Sequence, residues 1–155
     1  MSMPSRGVGT LLRQLLARLD GDVQAIYDRL NVPFRPRYFP VVCRLLQCGE
    51  ASVGDLSAAA GVSQPAMTQT IADMKRNGLV QSGTVSGGDP RLKLVRLTRE
   101  GQATADRLLP VWDAIARAAA DLDTALPSPL APLLEAALAE LDRASFERRI
   151  LNSME

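Results

Sequence analysis

The sequence contains no histidine, only two cysteines and few aromatic residues. Without histidine, the chain has no imidazole for acid–base catalysis, for a Ser–His or Cys–His nucleophile pair, or for metal ligation. Cys43 and Cys48 are too few for a disulfide scaffold or a zinc site, and if they share a helix their spacing puts them on opposite sides of it. The sequence therefore predicts neither an enzyme nor a bound cofactor or metal.

Long hydrophobic runs are also missing, so no segment approaches the length of a membrane-spanning helix. Near the N-terminus, charged residues interrupt the leucines and there is no signal-peptide core. The 46% hydrophobic and 23% charged residues fit a folded protein whose core is mainly Leu, Ala, Val and Ile. These features predict a cytoplasmic protein without a membrane segment.

The net charge is only +1, but it is unevenly distributed. Residues 64–99 contain six basic and two acidic side chains, whereas residues 100–145 contain three basic and eight acidic ones. A basic middle segment favours a local anionic partner. The alternative is that charges of both signs only keep the surface hydrated.

Apolar residues recur at helical spacing at both ends of the chain. The N-terminal segment predicts a helix over residues 11–30. A long helix is predicted from about residue 100 to 122, with a kink at Pro110, and a final helix begins at Ser128 and Pro129. Residues 145–151 extend this helix or form a separate short turn. Such broad apolar stripes favour pairing with a second copy of the chain, the alternative being a monomer in which the terminal helices cover each other.

Three shorter helices are predicted between these ends. The first opens with Pro36 and runs to about Gln47, although Pro40 equally marks a later start or a bend. Its inward-facing residues are predicted to be Val41, Val42, Leu45 and Leu46. Cys43 lies among them and is predicted to be buried, whereas Cys48 is predicted to be exposed.

The next two helices form a helix-turn-helix pattern. Ser52 and Asp55 resemble a capping box that opens one helix, which Gly61 ends as a left-handed cap. Ser63 caps the following helix, which has Pro65 in its first turn and ends at Gly78. The turn residue Val62 is expected to tuck between the two helices.

A change of period follows the helix-turn-helix. Residues 79–85 and 91–98 are rich in aliphatic and β-branched residues and flank a Gly-rich turn, which predicts a β-hairpin. Thr98 is positioned to cap the long helix. The predicted fold is therefore mainly α with a small β-hairpin wing: a winged helix-turn-helix over residues 35–99, flanked by dimerisation helices over residues 1–34 and 100–155.

Residues 53–101 resemble the winged helix-turn-helix of the MarR family of bacterial transcription regulators. The most specific elements are RNGLV after the second helix of the motif, Asp89 and Arg91 at the wing tip, and LTREG at the start of the long helix. The resemblance implies a homodimer, often a repressor, that binds a pseudo-palindromic double-stranded operator, with one recognition helix in each major groove. It also implies release by a small phenolic or lipophilic effector. Family members often carry Arg where this chain has Gln69.

The recognition helix can be divided into two faces by its period of about 100° per residue. Met67, Ile71 and Met74 share the face that anchors the helix to the core. Pro65, Gln69, Ala72, Asp73 and Arg76 are predicted to point outward, with Gln64 and Thr68 at the borders. The candidate DNA-contacting residues are Ser63, Gln64, Pro65, Ala66, Thr68, Gln69, Lys75, Arg76, Asp89, Arg91 and Lys93.

The candidate contacts divide by chemistry. Gln69 can pair with adenine, Ser63 and the first-turn amides can bind a phosphate, and Arg91 can enter a narrow minor groove. By resemblance, an effector pocket would involve Arg37, Tyr38 and Trp112. The alternative function is a winged-helix protein-interaction module that does not bind DNA.

Overall fold

The computed structural model of the protein describes residues 7–84 and 93–154. Its helices are α1 (Val8–Arg29), α2 (Phe39–Cys48), α3 (Val53–Ala60), α4 (Gln64–Arg76), α5 (Arg99–Thr124), α6 (Leu130–Arg143) and α7 (Phe146–Met154). Its strands are β1 (Glu50–Ser52), β2 (Val80–Thr84) and β3 (Lys93–Leu97). The order of helix, turn, helix and hairpin confirms the predicted winged-helix fold. None of the helices in these two ranges is both long and apolar enough to cross a membrane.

A three-stranded antiparallel sheet has the strand order β1–β3–β2. The pairing of β2 with β3 confirms the predicted hairpin. Strand β1 was not predicted, because three residues are too few to show an alternating pattern. Ala51 of β1 lies opposite Val95 of β3, and both side chains are buried. The sheet therefore joins the base of the wing to the segment that precedes α3.

The segment before α2 is divided into two helical pieces. Pro36 opens a short 3₁₀ helix, Pro36–Tyr38, and α2 then begins at Phe39. Pro40 lies in the first turn of α2, where its missing amide donor is tolerated. The later start is therefore the correct one of the alternatives. Val41, Val42 and Leu45 are buried as predicted, but Leu46 is 40% exposed, so the prediction was wrong for this residue.

Helix α3 begins with the predicted capping box. The Ser52 Oγ accepts a hydrogen bond from the Asp55 amide at 3.1 Å, and the Asp55 carboxylate accepts from the Ser52 amide and hydroxyl at 3.3 and 2.7 Å. These bonds from Ser52 hold the pKa of Asp55 below its ordinary value. At the other end, Gly61 adopts the left-handed conformation with φ of 65°.

An aromatic cluster connects the end of α1 to the 3₁₀ helix. The Phe34 ring lies 5.1 Å from the Tyr27 ring and 5.5 Å from the Tyr38 ring, measured between centroids, with edge-to-face geometry in both pairs. All three side chains are buried. Because the cluster packs residue 38 against the core, it sets the position of the neighbouring Arg37.

The chain divides into two compact units, one ending at Leu109 and the other beginning at Pro110. In the second unit, the amide of Leu130 donates to the Asp123 carboxylate at 2.9 Å and thereby caps α6. Pro129, not Ser128, occupies the cap position, so the predicted start was one residue early. Residues 146–154 form a separate helix, so neither predicted alternative, an extension of α6 or a short turn, was correct.

Candidate nucleic-acid interface

Helix α4 has the two faces that its sequence predicts. Met67, Ile71 and Met74 are all buried and hold the helix against the rest of the first unit. Thr70 is also buried, and its hydroxyl donates to the carbonyl of Ala66 at 3.1 Å. The helix therefore presents a fixed surface on its opposite side.

The exposed front of α4 contains most of the candidate base-reading side chains. The Ser63 Oγ accepts from the Ala66 amide at 3.4 Å, which confirms the predicted cap. The exposed residues along this part of the helix are Gln64, Pro65, Ala66, Thr68 and Gln69. A Cβ placed on Gly54 would lie 3.6 Å from the Gln64 Nε2, so the Gln64 amide rests beside the start of α3.

The turn between α3 and α4 differs from the prediction. Val62 is 44% exposed and does not tuck between the two helices. The amide of Val62 donates to the carbonyl of Ser57 at 3.1 Å, and Gly61 reverses the chain direction. Main-chain geometry, and not a buried turn side chain, therefore sets the angle at which α4 leaves the turn.

The C-terminal half of α4 carries two exposed cations beside one shielded acid. Lys75 and Arg76 are exposed, as their proposed contact with phosphates requires. The Asp73 side chain, which was predicted to point outward, is only 12% exposed. Its carboxylate accepts hydrogen bonds from both Arg37 and Arg76, and the Gln69 Nε2 lies 3.5 Å from the same group.

A second connection joins the 3₁₀ helix to the end of α4. The Asn77 Nδ2 lies 3.0 Å from the carbonyl of Asp73 and 3.4 Å from the Tyr38 hydroxyl. Sequence reasoning did not identify Asp73 or Asn77 as organising residues. The spacing of Asp73 and Arg76 does suggest a pair on one helix, but the link to Arg37 spans 36 positions and has no local signal.

One of the candidate DNA-contacting residues of the wing lies within the residues that the structure describes. Lys93 is exposed at the first position of β3. Asp89 and Arg91 lie outside the described residues, so their proposed roles remain predictions from the sequence. Arg96 was not among the candidates, and its guanidinium lies alongside Gly83 of β2, where an added Cβ would be 3.0 Å away.

The three candidate effector residues have different surroundings. Arg37 is half-exposed and paired with Asp73, and its guanidinium lies 5.6 Å from the centroid of the Tyr38 ring. Tyr38 is fully buried. Trp112 is partly buried on α5, in the second unit. Their proposed ligand-binding role remains a prediction.

Two adjoining cavities lie along α1 and the 3₁₀ helix. One has a volume of about 400 Å³ and is lined by Gln24, Asp28, Val32, Pro33, Phe34, Arg35 and Asn77. The other has a volume of about 270 Å³ and is lined by Asp20, Gly21, Gln24, Arg35, Pro36 and Arg37. Gln24 and Arg35 border both cavities, and Tyr38 borders neither.

The two cysteines differ in exposure and acidity. Cys43 is partly rather than fully buried, which corrects the prediction, and this burial raises the pKa of its thiol. Cys48 is exposed as predicted, and its sulfur lies 3.0 Å from the carbonyl of Arg44 and 3.1 Å from that of Glu50.

No family model and no curated protein matches the sequence. Its fold is nevertheless similar to several solved structures. MosR of M. tuberculosis, in complex with DNA, has a TM-score of 0.70 and 20% identity, covering 90% of this chain and 96% of that one. A MarR-family transcriptional regulator from Silicibacter pomeroyi has a TM-score of 0.67 and 21% identity, covering 91% and 99%.

A third similar structure is BpsR of Bordetella bronchiseptica, whose DNA binding is regulated by 6-hydroxynicotinic acid. Its TM-score is 0.65 and its identity 24%, covering 92% of this chain and 95% of that one. These matches extend over both compact units, beyond the winged segment alone. The protein therefore has the winged helix-turn-helix fold of the MarR-family transcriptional regulators.

Proposed function

We propose that the protein is a sequence-specific, double-stranded DNA-binding transcription regulator. The carrying observation is the exposed front of α4, which displays Thr68 and Gln69 while Met67 and Met74 fix the opposite face in the core. In helix-turn-helix proteins, N-terminal residues of such a helix meet base edges in the major groove. The fold shared with DNA-bound MosR supports this assignment.

The chemistry of this surface separates base reading from backbone contact. An amide side chain such as that of Gln69 can give adenine a paired donor and acceptor, while the Thr68 hydroxyl can bond a base or a phosphate. Lys75, Arg76 and Lys93 are exposed cations suited to phosphates, which set affinity and register. Apolar contacts from Pro65 and Ala66 would favour thymine methyl groups, so we expect A·T-containing half-sites.

We also propose that the regulator is a homodimer. In α1, the exposed large apolar residues are Val8, Leu11, Leu12, Leu16, Leu19 and Ile26. In α6 and α7, no residue of the described range is buried, although these helices carry Leu133, Leu138, Phe146, Ile150 and Leu151. Exposed apolar surface on this scale is typical of subunit interfaces. Two-fold pairing would bring one α4 to each half of a pseudo-palindromic operator.

A small organic effector that releases the DNA completes the proposal. The regulation of BpsR by 6-hydroxynicotinic acid shows that this fold can support such control in another protein. The larger of the two cavities along α1 and the 3₁₀ helix, about 400 Å³, has a volume suited to a small ligand. We infer that the protein works as a repressor in the cytoplasm and catalyses no reaction.

Selection from a random duplex library tests the function directly. The dimeric protein should enrich a two-fold symmetric site, and its affinity should fall steeply as salt rises, because Lys and Arg contacts release counterions from phosphates. Gln69→Arg should shift the selected site toward guanine, since Arg pairs with guanine O6 and N7. Undetectable or salt-independent duplex binding would contradict the proposal and favour a protein-interaction module.

Mass measurement in solution tests the dimer separately. Leu138 is 64% exposed on α6, and Leu138→Asp would put a charge into the proposed interface. We expect this variant to shift the mass toward the monomer and to lose binding to the symmetric site. Asp142→Asn, an exposed change on the same helix, should leave the mass unchanged. A wild-type protein that is monomeric at micromolar concentration would contradict the dimer.

A further inference from the structure

The carboxylate of Asp73 lies on the helix proposed to read DNA, although DNA itself is an anion. This side chain is only 12% exposed and makes ion pairs with two arginines. One carboxylate oxygen, Oδ2, accepts from Arg37 of the 3₁₀ helix, while Oδ1 accepts from Arg76 of α4. In this position the Asp73 carboxylate attracts the guanidinium groups of both Arg37 and Arg76.

Arg37 attaches this acid to a rigid part of the fold. The adjacent Tyr38 is fully buried, and its ring packs edge-to-face against Phe34 at 5.5 Å between centroids. Asn77, which lies 3.4 Å from the Tyr38 hydroxyl, connects the same segment to the end of α4. Asp73 is therefore paired from outside its own helix as well as by Arg76, so moving its carboxylate would break two ion pairs.

Arg76 is the cation whose behaviour this arrangement changes. Its side chain is 69% exposed, yet its guanidinium is paired with Asp73 at the preceding turn of the helix. A phosphate that recruits Arg76 must compete with a charge-assisted hydrogen bond that already exists. The same phosphate is repelled by the carboxylate, because like charges raise the energy of a complex.

Gln69 lies within reach of the same group. Its Nε2 is 3.5 Å from Oδ1 of Asp73, so the carboxylate attracts the donor end of the amide. The side chain proposed to read bases and the cation proposed to bind phosphate thus border one acid. A change at Asp73 is expected to alter the two kinds of contact together.

We propose that Asp73 is a specificity-determining positioning residue, which withholds Arg76 from phosphates of non-cognate DNA. This inference rests on the proposed DNA-binding function. At a random duplex, the protein gains too few base contacts to offset the loss of the Asp73–Arg76 pair. At the cognate site, the base contacts of α4 hold the backbone where Arg76 can exchange the carboxylate for a phosphate.

The variant Asp73→Asn tests this role, because it removes the charge and keeps the side-chain shape. Binding is measured against the selected site and a random duplex over a range of salt concentrations. We expect the salt slope on random DNA to steepen by about one and its affinity to rise about fivefold near 0.15 M salt, the effect of one added phosphate contact. The ratio of cognate to random affinity should fall accordingly.

Two further variants separate this role from a general change of charge or stability. Asp106→Asn makes the same charge change at an exposed position of α5, where the carboxylate accepts from Gln102 at 3.0 Å, and should leave the affinity ratio unchanged. The double variant Asp73→Asn/Arg76→Gln should return the random-DNA slope to the wild-type value. An unchanged slope and ratio in Asp73→Asn, with the wild type still selecting its site, would overturn the inference alone.

If Asp73→Asn does not fold, the role of Asp73 can be tested in a variant that retains its carboxylate. Arg76→Gln should reduce the salt slope on the selected site by about one and leave the slope on random DNA unchanged. An equal reduction on both DNAs would show that Arg76 is already available to phosphate and would overturn the inference. A wild type with no salt-dependent duplex binding would instead overturn the proposed function.

Discussion

Gly101 of α5 lies directly against the main-chain carbonyl of Leu79, so that a Cβ at position 101 would be 1.9 Å from the Leu79 oxygen. The contact is part of the junction between the recognition helix, the wing and the long helix. The Thr98 amide donates to the same Leu79 carbonyl at 3.0 Å, and the Thr98 Oγ1 accepts from the Gly101 amide at 2.9 Å, which confirms Thr98 as the cap of α5.

This contact predicts that Gly101→Ala destabilises the protein. The added methyl group must displace main-chain atoms rather than a flexible side chain, and overpacking of this kind costs about 1–3 kcal/mol or more. Urea denaturation measures the loss. Gly54→Ala is the matched control, because a Cβ there meets its nearest neighbours at 3.6 Å in a helix. Equal stability of the two variants would contradict the proposed close approach.

The capping box predicts a specific pH dependence. The hydrogen bonds from Ser52 are the chief cause of the lowered pKa of Asp55 in the folded state. The carboxylate charge therefore stabilises the protein above about pH 4, where Asp55 is ionised in the unfolded chain as well. This contribution is lost as pH falls through the folded-state pKa. Asp55→Asn should therefore be less stable than wild type near neutral pH, and the difference should shrink as the pH falls below about 4, as judged by urea midpoints. A difference independent of pH would show that charge is not involved.

The two thiols should react at different rates. Burial raises the pKa of Cys43, which lowers its thiolate fraction, whereas Cys48 is exposed. With iodoacetamide near pH 8, we expect Cys48 to be alkylated first. Cys48→Ser should remove the fast phase and Cys43→Ser should retain it, both followed by mass spectrometry. Loss of the fast phase in Cys43→Ser would reverse the assignment.

The wing predicts two distinguishable effects on DNA binding. Arg91→Ala should weaken binding most on sites flanked by A·T pairs, because a narrow minor groove concentrates negative potential around an inserted Arg. Lys93→Ala should weaken binding to all duplexes similarly, because a phosphate contact does not depend on the base sequence. Binding to paired sites that differ only in their flanks makes the comparison. Equal losses for both variants across all flanks would remove the minor-groove role of Arg91.

Local patterns were sufficient for most of the fold. The apolar period along α4 correctly placed Met67, Ile71 and Met74 in the core. The capping residues Ser52, Ser63 and Thr98 identified three helix starts, because these caps depend on atoms only three residues apart. The hairpin was visible because strands β2 and β3 are long enough to change the period of the sequence.

The sequence predictions failed where a residue distant in the sequence, or an element too short to show a pattern, determined the local structure. Val62 and Leu46 are apolar residues at plausible inward positions, yet the packing leaves them exposed. Strand β1 exists because β3 offers it a pairing edge, and Asp123 caps α6 from seven residues away. Neither relation has a short-range pattern, since each depends on where the chain returns in space.

The sequence by itself determined the helices, their caps and the polar front of α4, since each follows from interactions within one or two helical turns. Only the tertiary structure decided that Asp73 is a shielded acid shared by Arg37 and Arg76. It did so because burial of the Tyr27, Phe34 and Tyr38 rings brings the 3₁₀ helix against the recognition helix. Arg37 and Asp73 lie far apart in the sequence, so no periodic pattern predicts their ion pair.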